Sequence, residues 1–270
     1  MPTITVIMGV YNCKDYNGLK TSVMSIINQT YKDWELLICN DGSTDDTLEK
    51  LCKIAKLDNR IKILTYSNNR TLAGALNYCL KYAKGTYIAR QDDDYDISEK
   101  DRFRKQLDFL EKNQEYAFVG SNMKVFDRYG FEGNVILPEL VTKEDFLWNS
   151  PVSHASIIAR KEAYDLAGGY RIATETRRCE DYDLFMRMYA LGLKGYNIQE
   201  NLYEYKVEIT AGKKYRPMKF RIDEAIVRYK GFKEMGILFK GIPYIFKPIV
   251  IGLIPASLFA CIKKRMYKNF

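Results

Sequence analysis

Residues 1–98 alternate short β-favouring runs with helical stretches, and this alternation constrains the fold more than any other feature. Apolar runs near Ile4 to Met8, Trp34 to Cys39, Ile61 to Tyr66 and Thr86 to Gln91 are separated by helical segments near Leu19 to Asn28, Asp45 to Lys56 and Leu72 to Ala83. Strands joined through helices run parallel, because each crossover returns the chain to the same end of the sheet. The pattern predicts an α/β fold with a Rossmann-like, mostly parallel central sheet flanked by helices. Beyond Asp96 the rhythm changes. A helix from about Glu99 to Asn113 precedes strand-like stretches at Ala117 to Val125 and Ser156 to Ala159, a helix over Asp181 to Ala190, and short strands near Lys194 to Asn197 and Leu202 to Tyr205.

The strands of the first half end in polar loops. The first runs into Gly9-Val10-Tyr11-Asn12, the second into Asn40-Asp41-Gly42-Ser43-Thr44-Asp45, and the fourth into Gln91-Asp92-Asp93-Asp94-Tyr95-Asp96. In an open α/β sheet, ligands bind beyond the carboxyl ends of the strands, so these endings can converge on one ligand. Several carboxylates at one strand end are costly unless a cation joins them. Their hard oxygens suit Mg²⁺ or Mn²⁺ carrying a diphosphate. The competing reading is an acidic loop that caps the helix beginning near Ser98. Spacing alone leaves two metal registers open, Asp92 with Asp94 or Asp94 with Asp96.

Five ordered motifs, Val10-Tyr11-Asn12, Asn40 to Asp45, Arg70-Thr71-Leu72-Ala73-Gly74-Ala75-Leu76-Asn77, Ala89 to Asp94, and Glu180-Asp181-Tyr182-Asp183-Leu184, resemble glycosyltransferase family 2. The resemblance covers roughly residues 3 to 205 and implies a GT-A fold with inverting transfer from a nucleotide sugar. It implies that Asp41 accepts the imide proton of a uracil or thymine base, and that Val10, Tyr11 and Asn12 wrap base and ribose. Arg70 and Asn77 flank a helix start that a diphosphate can approach. The likeness places Asp92 and Asp94 on the metal and Asp93 beside the donor, and makes Asp181 the base, with Glu180 facing the acceptor. Each has a plainer alternative: Asp41 as a turn residue, Tyr11 as packing, Asn77 bonded to a neighbouring loop, and the acids of Glu180-Asp181 complementing a helix dipole. His154, the sole histidine, lies in a segment like one the family carries near the acceptor cleft. A structural hydrogen bond explains it equally. Gly168-Gly169-Tyr170 reads as a helix C-cap and turn, and its likeness to the family's Gly-Gly-Tyr segment places it near the donor sugar without a chemical group to offer. On this division, 1–98 is the nucleotide-binding half and 99–210 the acceptor half of one catalytic domain. Residues 211–270 form a helical tail.

Composition agrees with an enzyme of this size, with 47% hydrophobic and 28% charged residues. The six cysteines are scattered without close pairing, which predicts reduced thiols and a cytoplasmic location. The N-terminus enters a strand directly, with no basic and apolar leader. From Phe239 the tail holds Pro243, Pro248 and Pro255, several aromatics, and the basic residues Lys263, Lys264, Arg265 and Lys268. Pro248 to Ile262 is short for a membrane span, yet suits a segment lying in the interface of an anionic membrane. A helix packed on the catalytic domain is the alternative. The net charge of +8 fits peripheral attachment, and no recognition motif accompanies it, so nucleic acid is not an expected partner. The expected reaction joins a nucleoside-diphosphate sugar, with UDP as the expected nucleotide, to a lipid-linked or polysaccharide acceptor. A nucleotidyltransferase and a catalytically silent nucleotide-sugar-binding scaffold are the other classes considered.

Overall fold

The computed structural model describes residues 1–127, 129–207 and 216–253. The alternating first half forms β1 (Ile4–Val10), α1 (Tyr16–Ile27), β2 (Trp34–Asp41), α2 (Thr47–Ala55), β3 (Ile61–Tyr66), α3 (Thr71–Tyr82) and β4 (Tyr87–Arg90). The second half contributes β5 (Ile97–Ser98), α4 (Arg102–Lys112), β6 (Tyr116–Phe126), β7 (Glu132–Val135), β8 (Ile158–Arg160), α5 (Lys161–Ala167), α6 (Glu180–Ala190) and β9 (Lys194–Lys206). Two further helices follow, α7 (Met218–Glu234) and α8 (Leu238–Leu253).

One sheet carries the strands in the order β3-β2-β1-β4-β8-β6-β9-β5, with β7 paired to β6. The pairs of β1 with β2 and β4, and of β2 with β3, are parallel. β8 then runs antiparallel to both β4 and β6, so the sheet is parallel in its first half and mixed in its second. The chain order reverses between β1 and β4, which is where an open α/β sheet leaves a crevice at its strand ends.

Strand residues alternate between two cores. Val6, Met8, Leu36 and Ile38 pack with Leu19, Val23, Leu51 and Phe103 of the helices on one face. Ile7, Leu37 and Ile88 pack with Leu76, Phe185, Met186 and Phe232 on the other. Burial on both faces explains why these strands read as continuous apolar runs. Beyond the sheet, α7 packs on α6 and α8 packs on α7.

The sequence pattern predicted two short strands where the structure has the single β9. β6 and β9 pair in parallel with register shifts around Ser121, Asn122 and Met123. Such irregularities break the period-two pattern that marks a strand in sequence. Cys13, Cys39, Cys79 and Cys179 are buried free thiols, and Cys52 is an exposed one. Among the described residues no helix is long and apolar enough to cross a membrane. The basic residues Lys263, Lys264, Arg265 and Lys268, and Pro255 with them, lie outside the described residues.

Candidate active site

The register sets Val10 beside Asn40, Asp41 beside Tyr66, and Ile7 beside Arg90, so the carboxyl ends of β1 to β4 open on one edge. After β1, Val10 is buried and Tyr11 exposed. Asn12 takes a left-handed backbone, φ 48°. Its N–H donates to Ser43 Oγ at 3.0 Å, and its Oδ1 accepts from the Thr44 N–H at 3.0 Å, which ties the loop after β1 to the loop after β2. The other non-glycine residues at positive φ among those described are Thr71, Tyr95 and Arg178. They stand at the start of α3, in the acidic loop and just before α6. Backbone strain of this kind persists only where surrounding bonds over-determine it, and it gathers at ligand sites.

Asp41 is buried and spends much of its carboxylate on its own chain. Oδ1 accepts from the Tyr66 hydroxyl at 2.5 Å and the Arg70 N–H at 2.7 Å, and Oδ2 accepts from Asn69 Nδ2 at 2.8 Å. A carboxylate has about four lone-pair positions, so one remains on Oδ2. Burial raises the Asp41 pKa against these bonds. Arg70 is exposed, its guanidinium 4.6 Å above the Tyr66 ring.

Asn77 is engaged elsewhere. Its Nδ2 donates to the Tyr170 carbonyl and its Oδ1 accepts from the Tyr170 N–H, both at 2.8 Å. Gly169, at φ 69°, lies against that amide, where a Cβ would come within 2.7 Å of Asn77 Oδ1. The plainer alternative, a bond to a neighbouring loop, describes this side chain, and Asn77 bears on the site through Tyr170. The Tyr170 hydroxyl in turn meets His154 Nε2 at 2.7 Å. Burial, then the charge of Arg90, hold His154 well below the usual imidazole pKa, so it is neutral.

The acidic loop is clamped from β9. Tyr203 donates to Asp96 Oδ2 at 3.0 Å, the Lys206 N–H donates to Asp96 Oδ1 at 3.2 Å, and Asp96 is buried. Burial and the charge of Asp92 push its carboxyl up to about 8. Asp94, by contrast, is exposed and pairs with Lys206 Nζ at 2.9 Å. Asp92 is half-buried and pairs with the guanidinium of the fully buried Arg90. Asp93 is raised to about 6 by burial and then by Asp92. Asp92 and Asp94 thus each face one basic side chain, whereas Asp96 is committed to the Tyr203 hydroxyl and the Lys206 N–H. Among the described residues no group of three or more imidazole, thiol or carboxyl ligands is assembled. An oxygen-only pair still fits a divalent ion that completes its shell with phosphate oxygens and water.

At the far side of the crevice, α6 begins with Glu180 and Asp181 after Cys179, whose Sγ accepts from Arg216 at 3.1 Å. Burial and then Asp181 raise Glu180 to about 7. Asp181 is raised chiefly by burial; the Tyr182 N–H opposes this, Asp92 adds to it and Arg90 opposes it. Arg90 pairs with Asp92, its charge acts on His154, Glu180 and Asp181, and its Nε is unpaired.

The profile of the family described as Glycosyl transferase family 2 matches residues 5–171. Over 270 residues, 99% of this chain and 95% of the relative, the chain is 40% identical to EpsE of Bacillus subtilis (strain 168), a protein assigned as a glycosyltransferase. The chain belongs to glycosyltransferase family 2. It is also 32% identical, over 78% of its length and 79% of the relative's, to the Escherichia coli UDP-Glc:alpha-D-GlcNAc-diphosphoundecaprenol beta-1,3-glucosyltransferase WfaP. Among solved structures, Staphylococcus aureus TarS 1-349 in complex with UDP-GlcNAc shares the fold at TM-score 0.69 and 17% identity, covering 91% of this chain and 73% of that one. The Pyrobaculum calidifontis mannosyltransferase PcManGT with GDP-Man and Mn²⁺ does so at TM-score 0.63 and 15% identity, over 98% and 80%. These are GT-A folds, as the alternating pattern and the motifs imply.

Arg90 and Lys206 escaped the sequence reading as site residues, and Tyr170 entered it only within a turn segment with no chemical group to offer. Arg90 carried a signal, a cation at the end of an apolar strand directly before three carboxylates. Lys206 carried none, because its partner Asp94 is distant in sequence.

Proposed function

We propose that this family 2 transferase works by inversion, moving a sugar from a nucleoside diphosphate, with uridine as the base, to a hydroxyl of a lipid-linked or growing glycan acceptor. The observation that carries the reading is electrostatic. Asp181 on α6 feels the charge of Asp92, far away in sequence on the acidic loop, and that of the buried Arg90, which pairs with Asp92. This coupling supports a reading in which a donor-side acid and an acceptor-side acid serve one site. The UDP-sugar in the name of the E. coli relative and the UDP-GlcNAc bound to TarS support the donor class. The diphosphoundecaprenol acceptor of that relative supports a lipid-linked acceptor.

In this reading Asp181 takes the proton of the acceptor hydroxyl, and its raised pKa makes it a stronger base than an exposed aspartate. Glu180, its carboxyl pushed up to about 7, is partly protonated near neutral pH and meets the acceptor. Neutral His154 holds the acceptor side through Tyr170. Asp41 offers its remaining Oδ2 position to the base imide, Tyr11 and Asn12 flank the base, and Arg70 is free to meet the diphosphate. Asp92 and Asp94, partnered by Arg90 and Lys206, would hold Mn²⁺ or Mg²⁺. Such an ion, when bound, supplies charge stabilisation to the diphosphate leaving group. Attachment through the C-terminal region to the anionic inner face of the cell membrane brings the site to its acceptor.

The test is a panel of nucleotide sugars offered with Mn²⁺ or Mg²⁺ and a synthetic diphosphoprenyl saccharide, with the product anomer read by NMR. An inverted anomer from a UDP-sugar supports the reading. A retained configuration contradicts it, and donor binding without turnover across the panel identifies a silent binder.

A further inference from the structure

α8 is amphipathic with its apolar surplus facing outward. Its inner face packs Leu238, Tyr244 and Ile245 on the core. Gly241 approaches so closely that a Cβ there would meet the Phe232 ring at 2.3 Å. Its outer face carries Phe239, Ile242, Phe246, Val250 and Leu253, exposed by 91, 47, 56, 58 and 74%. Steps of three and four residues set these five on one helical stripe. A contiguous apolar stripe left in water marks a surface that another phase or molecule covers.

The chemistry around the stripe selects the occupant. From Met235 to Phe270 the sequence contains no Asp or Glu, while Lys240, Lys247, Lys263, Lys264, Arg265 and Lys268 are all basic. Trp148, 60% exposed, borders α8, with Lys247 Nζ 3.7 Å from its ring centroid and Tyr244 edge-on to it. Aromatic rings and lysines beside an apolar stripe suit the headgroup level of a bilayer, where the ring and the lysine stem lie in the apolar layer and the charge stays wet. Among the described residues no helix is long and apolar enough to cross a membrane, and the contact inferred here is one in which α8 lies on the bilayer.

We infer that this stripe of α8 is the face that seats the chain in the interface of an anionic bilayer, an inference that rests on the membrane attachment proposed above and assigns its surface. It also moves the contact towards the N-terminus of the stretch marked by sequence, which began at Pro248.

The full chain and its Phe239→Ser/Phe246→Ser variant are sedimented with phosphatidylcholine vesicles, with and without phosphatidylserine. Trp148 emission is recorded and oligomeric state is measured by analytical ultracentrifugation. The wild type is expected to bind the anionic vesicles with a blue-shifted Trp148. The variant should keep its melting temperature and UDP binding but lose about tenfold or more in vesicle affinity, from two lost apolar side chains. Equal vesicle binding by the two proteins leaves the attachment standing and overturns the stripe. No vesicle binding by the wild type overturns both. A variant that turns a dimer into a monomer with vesicle affinity unchanged shows that the stripe seats a second copy, which also overturns the inference.

Discussion

Asn77→Ala separates two jobs for one side chain, because the structure commits the amide to Tyr170 whereas the family motif places it at the donor. The substitution removes two hydrogen bonds, each 2.8 Å long, between segments far apart in sequence. Each bond is worth ~1 kcal/mol net, and the Tyr170 N–H and carbonyl left behind are unpaired in a partly buried place, so the cost is about 2–3 kcal/mol. For a chain of this length that converts to a fall in Tm of roughly 5–10 °C. Asn77→Asp should fall between, since the carboxylate still accepts from the Tyr170 N–H but has nothing to donate to its carbonyl. Scanning calorimetry with and without UDP reads both effects. A Tm within a degree of wild type for Asn77→Ala, together with weakened UDP binding, would refute the clamp and return the side chain to the donor.

The acidic loop makes a paired prediction. Asp94→Ala should weaken Mn²⁺-dependent UDP binding in calorimetry with little change in Tm, whereas Asp96→Ala should lower Tm by leaving the Tyr203 hydroxyl and the Lys206 N–H unpaired; the reverse pattern would show the metal register to be wrong. At α6, a carboxyl whose pKa rises on folding holds its proton more tightly in the folded state, so Glu180 contributes stability that is lost as pH rises from its unfolded value of about 4.5 through 7. Asp181→Asn removes the charge next in importance to burial, so the decline of Tm between pH 5 and 8 should be shallower in that variant, and identical slopes would show that the two acids do not interact.

Much of this architecture was legible in the sequence because β1, β2 and β4 are buried on both faces and bounded by turn residues. Period and punctuation then agree, as at Ile4–Val10 followed by Tyr11 and Asn12. That Asp41, Asp92 and Asp181 belong to one site was suggested only by the ordered motifs, since no local pattern relates a helix start to a strand end. What escaped depends on contacts between distant segments. β9 was split in two because its pairing shifts register against β6. β7, four residues including a glycine, has too little apolar pattern to register as a strand. Asn77 could not reveal that its partner is Tyr170, nor Asp96 that Tyr203 and Lys206 bury it. Residue type announces that an amide or a carboxyl needs partners, and only the fold says which.

The most direct test of the account is Asp181→Asn measured for both transfer and donor affinity. Loss of a positioned base costs about 10²- to 10⁴-fold in rate. In the proposed reading Asp181 serves the acceptor rather than the donor, so the Kd for the UDP-sugar should hardly move. The account predicts a fall in kcat of that size at unchanged donor affinity and a folded protein. Turnover near wild type in a folded Asp181→Asn that still binds donor would contradict it.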